Sequence, residues 1–282
     1  MSSSYSGMSS SRWLTNAWSR SRIESPAARL MRGHYTRRTG DPMDQWSLYI
    51  DIEGFSSTYA KGTQALESLG ALMESIYKVG SRCYAESPHR LFAHQLGDGF
   101  VVVGEFGWAT LEQPVTVAIV LLRAVLQAGG LAKAAISEGE FADVVGCYPK
   151  TIQDLYERSC GGAIPLGRGL MTILPVMGAA LINSYRLLHA KCTPPGPLLL
   201  LEEAKAGRLP PWVRAQAVGG FLAIDWIHSY SPALVDITRV AGLHTAEPSV
   251  LVGALRRYME SNDVSPKWRD NASRYLSTND AA

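Results

Sequence analysis

Two aspartates in this 282-residue chain occupy positions from which a carboxylate can do chemistry. The first, Asp51, lies in the stretch WSLYIDIEGFSS at residues 46–57, near the end of a segment in which apolar and polar residues alternate. This alternation is typical of a half-buried β-strand, and it predicts Asp51 on the polar face. Gly54 follows, where the backbone can turn tightly, and Ser56 can cap a helix after the turn. A carboxylate in this setting can hold a metal ion and a phosphate chain together.

The second aspartate, Asp98, lies at the tip of a predicted hairpin. Residues 90–96 and 100–106 are predicted to be strands, joined by Gly97-Asp98-Gly99. From the tip of that hairpin Asp98 would be free to approach Asp51. Each feature alone is common, because most Asp-Gly turns are only turns and an aspartate ending a strand is usually a helix cap. The two features together, in this order, are far more specific.

Composition narrows the class of protein. The net charge of +2 gives no field that favours nucleic acid or a membrane surface. The four cysteines form no CxxC pair, which is expected of reduced thiols in a cytosolic protein. The most apolar runs, residues 115–122 and 198–201, are too short to span a bilayer, and the N-terminus lacks the apolar segment of a signal peptide. We therefore expect a cytoplasmic protein that binds neither membrane nor nucleic acid.

The chain is predicted to have three parts. Residues 1–44 form a flexible arm rich in serine and arginine, residues 45–230 a catalytic domain, and residues 231–282 a C-terminal helical extension. Hydrophobic periodicity and turn residues predict the following order after the first strand: helix 58–84, the hairpin, helix 114–127, strand 131–139, an irregular connection 151–168, a helix 171–190 with Pro175 in its first turn, strands 198–201 and 219–227, and helix 249–261. This order predicts an α+β fold in which a mixed sheet is packed with helices.

The order of the two motifs, DIEGFS after a strand and then a hairpin tipped by GDGF, resembles the class III nucleotidyl cyclases over about residues 46–228. The resemblance implies a ferredoxin-like catalytic domain that works as a homodimer, with active sites shared between the two subunits. It also implies a reaction in which the ribose 3′-hydroxyl of a nucleoside triphosphate attacks the α-phosphate and pyrophosphate leaves. Two divalent ions, Mg²⁺ or Mn²⁺, are the cofactors of such a reaction.

The resemblance assigns roles to residues of this chain. It implies that Asp51 and Asp98 bridge the two metal ions, that the carbonyl of Ile52 completes one coordination shell, and that Arg186 steadies the transition state. The family motif has an asparagine four residues before that arginine; here the position is Ile182, and Asn183 comes one residue late. The backbone amides implied to cradle the β- and γ-phosphates belong to Glu53, Gly54, Phe55 and Ser56.

The residues that would read the base differ from those of purine cyclases. Adenylate cyclases place a lysine and an aspartate where this chain has His94 and Pro175, which cannot make the same purine contacts. Tyr49 lies on the predicted face of Asp51 and either contacts the base or packs on the sheet. The pocket resembles that of the pyrimidine cyclases of bacterial anti-phage signalling, whose cyclic UMP or cyclic CMP activates a separate effector. UTP is the expected substrate; the alternatives are a cytidylate cyclase, a purine cyclase, and an inactive module that binds a nucleotide.

Overall fold

The structure, a computed structural model, describes residues 45–59, 63–85, 91–104, 110–159 and 162–276. The predicted arm at residues 1–44 lies outside the described residues. The described chain divides into two compact units, a larger one from residues 45–142 and 176–276 and a smaller one from residues 143–175.

The elements are as follows. The strands are β1 (Gln45–Ile52), β2 (Leu91–Leu96), β3 (Gly99–Gly104), β4 (Ala132–Gly139), β5 (Ala142–Asp143), β6 (Ala163–Leu166), β7 (Gly169–Thr172), β8 (Val176–Met177), β9 (Leu199–Glu202), β10 (Ala215–Val218) and β11 (Phe221–Ile224). The helices are α1 (Phe55–Tyr59), α2 (Gln64–Cys83), α3 (Glu112–Gln127), α4 (Lys150–Arg158), α5 (Ala179–His189), α6 (Pro232–Ala241), α7 (Pro248–Ser261) and α8 (Pro266–Ser273). Short 3₁₀ turns occupy Val145–Cys147 and Glu203–Arg208.

The larger unit is built on a sheet whose strand order is β10-β11-β9-β4-β1-β3-β2. The chain order β1-α2-β2-β3-α3-β4, with the strands arranged β4-β1-β3-β2 and every neighbour antiparallel, is the ferredoxin-like split βαβ arrangement. Strand β9 then adds to β4 in parallel, which makes the sheet mixed. The predicted α+β class, a mixed sheet packed with helices, is confirmed.

Strand β1 is buried on both faces, from Trp46 to Ile52. Helices α2 and α3 cover one face, and α5 lies against β1 and β4 on the other. The prediction of a half-buried strand was wrong because α5 supplies partners for the polar residues of β1. The hydroxyl of Ser47 donates to the carbonyl of Ala180 and lies 2.8 Å from the hydroxyl of Ser184, so a buried polar face is satisfied without water.

The C-terminal helices extend the helical layer of the larger unit. Helix α6 packs on α2 and α3, and α7 packs on α3. Ser231 caps α6 by accepting from the amide of Leu234, and Gly242 ends the helix in the left-handed conformation at φ 65°. Predicted helix 249–261 is confirmed as α7. Within the described ranges, no helix combines the length and the apolar character needed to cross a membrane.

Three predicted elements differ from the structure. Gly219 and Gly220 do not begin a strand; both have positive φ, 57° and 85°, and form the two-residue turn between β10 and β11. Pro175 is not in the first turn of a helix, because α5 begins only at Ala179. At the preceding Gly178 a Cβ would lie 2.1 Å from the carbonyl oxygen of Glu140, so this close approach fixes where the helix can start.

Residues 151–168, which belong to the smaller unit, were predicted to be an irregular connection. Instead, α4 begins directly after Pro149, and β6 and β7 form a hairpin whose turn contains Gly167 at φ 61°. Pro149 holds an extended backbone, and its carbonyl accepts from the amides of Ile152 and Gln153. The glycines and Pro165 suggested irregularity because they interrupt periodicity, although a short hairpin tolerates them.

Candidate functional site

The register of the sheet brings Asp51 beside the tip of the β2–β3 hairpin. Asp51 pairs with Gly99 of β3, the residue that follows Asp98. A Cβ at Gly99 would lie 2.8 Å from the carbonyl oxygen of Ile50 and 3.1 Å from Oδ1 of Asp51. Glycine is therefore required where the Asp51 carboxylate lies over the neighbouring strand. The two aspartates that the sequence singled out are close enough that the charge of one affects the titration of the other.

A lysine and a histidine that the sequence did not point to lie next to Asp51. The Nζ of Lys133 is 3.6 Å from Oδ2 of Asp51 and 3.6 Å from Oε2 of Glu53. Nε2 of His189, in the last turn of α5, is also 3.6 Å from Oδ2 of Asp51. A lysine inside the apolar run of β4 was a signal that could have been used, because a charge at such a position is normally paired. His189 carried no comparable signal.

The Asp51 carboxyl is held in a conflicting electrostatic environment. Burial raises the pKa of this carboxyl above its ordinary value, and the neighbouring charges of Asp98 and Glu53 raise it further. Lys133 and His189 oppose that rise. A buried carboxylate whose pKa is raised despite a lysine and a histidine nearby is a site that gains from an additional positive charge.

Tyr49 lies between the sheet and α5. Its ring is 5.2 Å from the ring of Tyr185 and 5.2 Å from that of His189, with edge contacts to both. Those two rings stack on each other at 4.4 Å. Tyr49 is 3% exposed, whereas Tyr185 is 46% exposed. Packing against α5 therefore accounts for the burial of Tyr49. A contact of Tyr49 with a base stays a prediction.

The oxygen atoms near Asp51 are of the kind that divalent metal ions such as Mg²⁺ prefer. Within the described ranges, no three side chains of the His, Cys, Asp or Glu type cluster as a metal cage. Two neighbouring carboxylates, Asp51 and Asp98, with a backbone carbonyl such as that of Ile52, nevertheless match the way Mg²⁺ is bound when substrate phosphates and water supply the remaining ligands. The residues fit metal ions that arrive with a nucleotide.

The turn after β1 begins with a residue that is already engaged. The amide of Glu53 donates to the carbonyl of Leu131 at 2.9 Å, so it does not point to a phosphate. Gly54 adopts φ 68°, and α1 starts at Phe55. Gly54 and Ser56 are exposed. The predicted contacts of this turn with the phosphates are therefore limited to the residues after Glu53, and they stay a prediction.

The remaining predicted site residues lie in several places. Arg186 is exposed and Asn183 half-buried on α5, and Pro175 is a buried residue of the smaller unit. His94 is on β2 and stacks against Phe141 with 6.2 Å between ring centres. Its Nε2 is buried without a hydrogen bond among the described residues, and burial lowers the pKa of the imidazole.

The sequence matches no family model, and no curated protein matches it. Solved structures do match. One is a class III adenylyl cyclase-like ATP-binding protein from Pseudomonas aeruginosa, 12% identical with a TM-score of 0.38, over 69% of this chain and 40% of that one. Another is a bacterial light-regulated adenylyl cyclase, 9% identical with a TM-score of 0.38, over 72% of this chain and 58% of that one. The chain thus spans less than two thirds of either protein.

Removal of the Asp51 charge is expected to stabilise the protein without metal. A carboxyl whose pKa is higher in the folded than in the unfolded chain destabilises the fold once it ionises, and this cost disappears below about pH 4, where both states are protonated. Asp51→Asn should therefore raise the melting temperature in EDTA near pH 7 by about 2–4 °C. Thermal unfolding measured from pH 3.5 to 8 should show that the gain vanishes at the acid end.

The control for this stability change is Asp236→Asn, on the surface of α6, where the aspartate pairs with Arg239 at 2.9 Å. Both side chains are largely exposed, so this variant should melt within about 1 °C of the wild type. A lower melting temperature for Asp51→Asn at neutral pH would mean that Lys133 and His189 more than compensate for burial.

Proposed function

We propose that the protein is a nucleotidyl cyclase that converts UTP to 3′,5′-cyclic UMP and pyrophosphate. The observation that carries the proposal is the meeting of Asp51 with the hairpin tip at Asp98, with Lys133 across the sheet. Two carboxylates and one lysine therefore lie at one end of β1. The carboxylates suit the metal ions of a bound triphosphate, and the lysine suits its phosphate oxygens.

The chain's own residues would bind and orient the triphosphate. Lys133 would supply a positive charge for the phosphate oxygens. Its ammonium lies 3.6 Å from the carboxylate of Glu53, and the exposed turn residues Gly54 and Ser56 follow Glu53 in the sequence. In the reaction the 3′-oxygen forms a bond to the α-phosphorus, the bond to the β-phosphate oxygen breaks, and pyrophosphate leaves. The hydroxyl proton passes to solvent.

Asp51, Asp98 and the carbonyl of Ile52 would hold two divalent ions, which would supply charge neutralisation at the α-phosphate and a lower pKa of the 3′-hydroxyl. Asp51 is suited to hold a cation because its carboxylate is buried beside a second carboxylate. The Lys133 ammonium and the His189 imidazole are each 3.6 Å from this carboxylate, outside hydrogen-bonding distance, so they do not saturate it.

Arg186 is proposed to act across a homodimer. It is exposed on α5, whereas His189, one turn later, approaches Asp51 of the same chain. An exposed arginine is available to a second subunit, where it would stabilise the charge that develops on the transferred phosphate. Asn183, half-buried on the same helix, would assist in the role that Ile182 cannot fill.

His94 is proposed to contact the base. Its buried Nε2 has no hydrogen-bonding partner among the described residues, and such a nitrogen gains from a polar group of a ligand. A histidine cannot make the purine contacts of the lysine that adenylate cyclases carry at this position, which supports a different base. The choice of uracil rests on the resemblance to the pyrimidine cyclases. By the same resemblance, the cyclic product would act in the cytoplasm on a separate effector in anti-phage defence.

The test is to incubate the purified protein with each of the four ribonucleoside triphosphates and Mn²⁺, and to identify cyclic products by mass spectrometry. UTP should be converted at least about tenfold faster than ATP or GTP, because a buried polar site rejects a base that leaves its groups unpaired. A preference for CTP would make the protein a cytidylate cyclase, and equal use of ATP would favour a purine cyclase.

The control for the substrate test is Asp98→Asn, purified in the same way, since it removes a proposed metal ligand and should form no product. Product formed equally by both proteins would come from a contaminant. No product with any nucleotide, although UTP binds, would favour the inactive nucleotide-binding module.

A further inference from the structure

Glu53 is held by three hydrogen bonds, through its amide, its carbonyl and Oε1. Its amide donates to the carbonyl of Leu131 at 2.9 Å. Its carbonyl accepts from the hydroxyl of Tyr258 at 3.3 Å, and Oε1 accepts from the indole of Trp268 at 3.2 Å. Oε2 is buried and faces Lys133 at 3.6 Å. The partners come from Leu131 and Lys133 at the start of β4 and from two C-terminal helices.

The two C-terminal partners are themselves firmly packed. Tyr258 of α7 and Trp268 of α8 are 9% and 4% exposed, and their rings stack with 6.2 Å between centres. Burial raises the pKa of Tyr258 to about 12, with the charge of Glu53 adding to it, so the hydroxyl remains a donor at neutral pH. Both side chains therefore present permanent donors to Glu53.

Helix α8 is anchored independently of Glu53. Asn271 donates to the carbonyl of Pro195 at 2.6 Å, and the buried Tyr275 donates to the carbonyl of Ile224 on β11 at 3.3 Å. Ser265 caps the helix by accepting from the amide of Trp268. These contacts hold α8 in place without the hydrogen bond to Glu53.

We propose that Tyr258 and Trp268 are positioning residues, through which the C-terminal helices hold Glu53, and with it Lys133, in place for a bound triphosphate. The inference rests on the proposed function only for the identity of the ligand. It gives helices α7 and α8 a part in the site, although Tyr258 and Trp268 are 205 and 215 positions from Glu53 in the sequence.

The physical reason is the shared position of Lys133. Its ammonium group is equally distant, 3.6 Å, from the carboxylates of Asp51 and Glu53. Glu53 attracts the ammonium away from Asp51 only if its own carboxylate is held, and the indole of Trp268 holds it. If Glu53 is released, Lys133 moves toward Asp51, where it neutralises a carboxylate that should bind a cation and is itself lost to the phosphates.

The direct test is Trp268→Phe, which removes the N–H donor and keeps most of the aromatic packing on Tyr258. Amide hydrogen exchange of residues 52–56 should become about fivefold faster or more, since the turn loses one anchor. The affinity for magnesium tripolyphosphate, measured by calorimetry, should fall by about fivefold or more. Tyr258→Phe, which removes only a hydroxyl, should shift both measurements in the same direction and serves if the first variant folds poorly.

The matched control is Trp226→Phe. Trp226 is fully buried, and its indole donates to the carbonyl of Pro197 at 2.7 Å, away from Glu53. The Trp226→Phe variant also loses an indole N–H and a comparable hydrogen bond. Its turn exchange therefore reports the effect of general destabilisation. Exchange in the turn that is no faster in Trp268→Phe than in Trp226→Phe overturns the inference. Faster exchange with unchanged tripolyphosphate affinity overturns the connection to the phosphates.

A double-mutant cycle separates positioning from general loss of stability. In a Lys133→Met background, Trp268→Phe should weaken tripolyphosphate binding by less than about twofold further, because the group that it positions is gone. If Trp268→Phe weakens tripolyphosphate binding by the same factor in the Lys133→Met background as in the wild type, Trp268 does not act through Lys133. If exchange and affinity change as expected but no variant, including the wild type, forms a cyclic nucleotide, the proposed reaction fails while the positioning role stands.

Discussion

Asp51→Asn and Asp98→Asn should each reduce cyclic nucleotide formation to less than about 1% of the wild-type rate. Each substitution keeps the size of the side chain and removes a negative charge from the position where the two aspartates meet. Because the same Asp51→Asn change should stabilise the metal-free fold, the loss of activity cannot be attributed to unfolding. Initial rates with UTP and Mn²⁺, together with melting curves of the same samples, measure both effects.

The comparison for this prediction is Asp236→Asn, which removes an exposed carboxylate from α6 and should keep activity within about twofold. A further check is the dependence of residual activity on metal concentration. If Asp51→Asn or Asp98→Asn is folded and retains more than a few per cent of the wild-type rate at saturating Mn²⁺, the two-aspartate site is wrong.

The part of the site that the sequence predicted is local in the chain. Alternation in residues 46–52 predicted β1, and Gly97-Asp98-Gly99 predicted the hairpin, because both depend on neighbouring residues. Their meeting followed from the order of the elements, and the pairing of Asp51 with Gly99 agrees with it. The ferredoxin-like arrangement itself was an implication of the family resemblance, whereas the local patterns predicted only its elements.

What the sequence did not predict depends on distant contacts. The burial of both faces of β1 depends on where α5 packs, and His189 approaches Asp51 only through that packing. In the sequence, Trp268 and Tyr258 look like ordinary core residues. Their hydrogen bonds to Glu53 are apparent only in the structure. Such pairs are set by tertiary structure, and no pattern within a window of a few residues encodes them.

The start of α5 was missed for a different reason. Apolar residues recur at helical spacing from Leu174 onward, so Pro175 was placed in a first turn, as proline often is. The chain instead stays extended until Gly178, which fits against the carbonyl of Glu140 where no side chain could. Helical periodicity predicted that a helix existed, but its first residue was decided by a close backbone contact. The position of Arg186 within the helix does not change.

Mixing two inactive variants, Asp51→Ala and Arg186→Ala, should restore activity to roughly a quarter of the wild type. In the proposed homodimer each site takes Asp51 and Asp98 from one subunit and Arg186 from the other. A mixed dimer therefore has one site with both defects and one site with neither. With free and random exchange half of the dimers are mixed, and half of their sites are intact. The measurement is the rate after the two proteins are incubated together, with the dimer fraction followed by native mass spectrometry.

The two variants alone provide the baseline, and each should have at most about 1% of the wild-type rate, since a transition-state arginine contributes about 10³-fold or more to phosphoryl transfer. The control mixture is Asp51→Ala with Asp98→Ala. Both residues belong to the same half of a site, so every mixed dimer keeps a defect in each site and no activity should return. Recovery in that control would show that Asp51 and Asp98 act from different subunits.

If the first mixture stays inactive although mixed dimers are detected, Arg186 does not serve the partner's site. The exposed position of Arg186 on α5 would then reflect solvation alone.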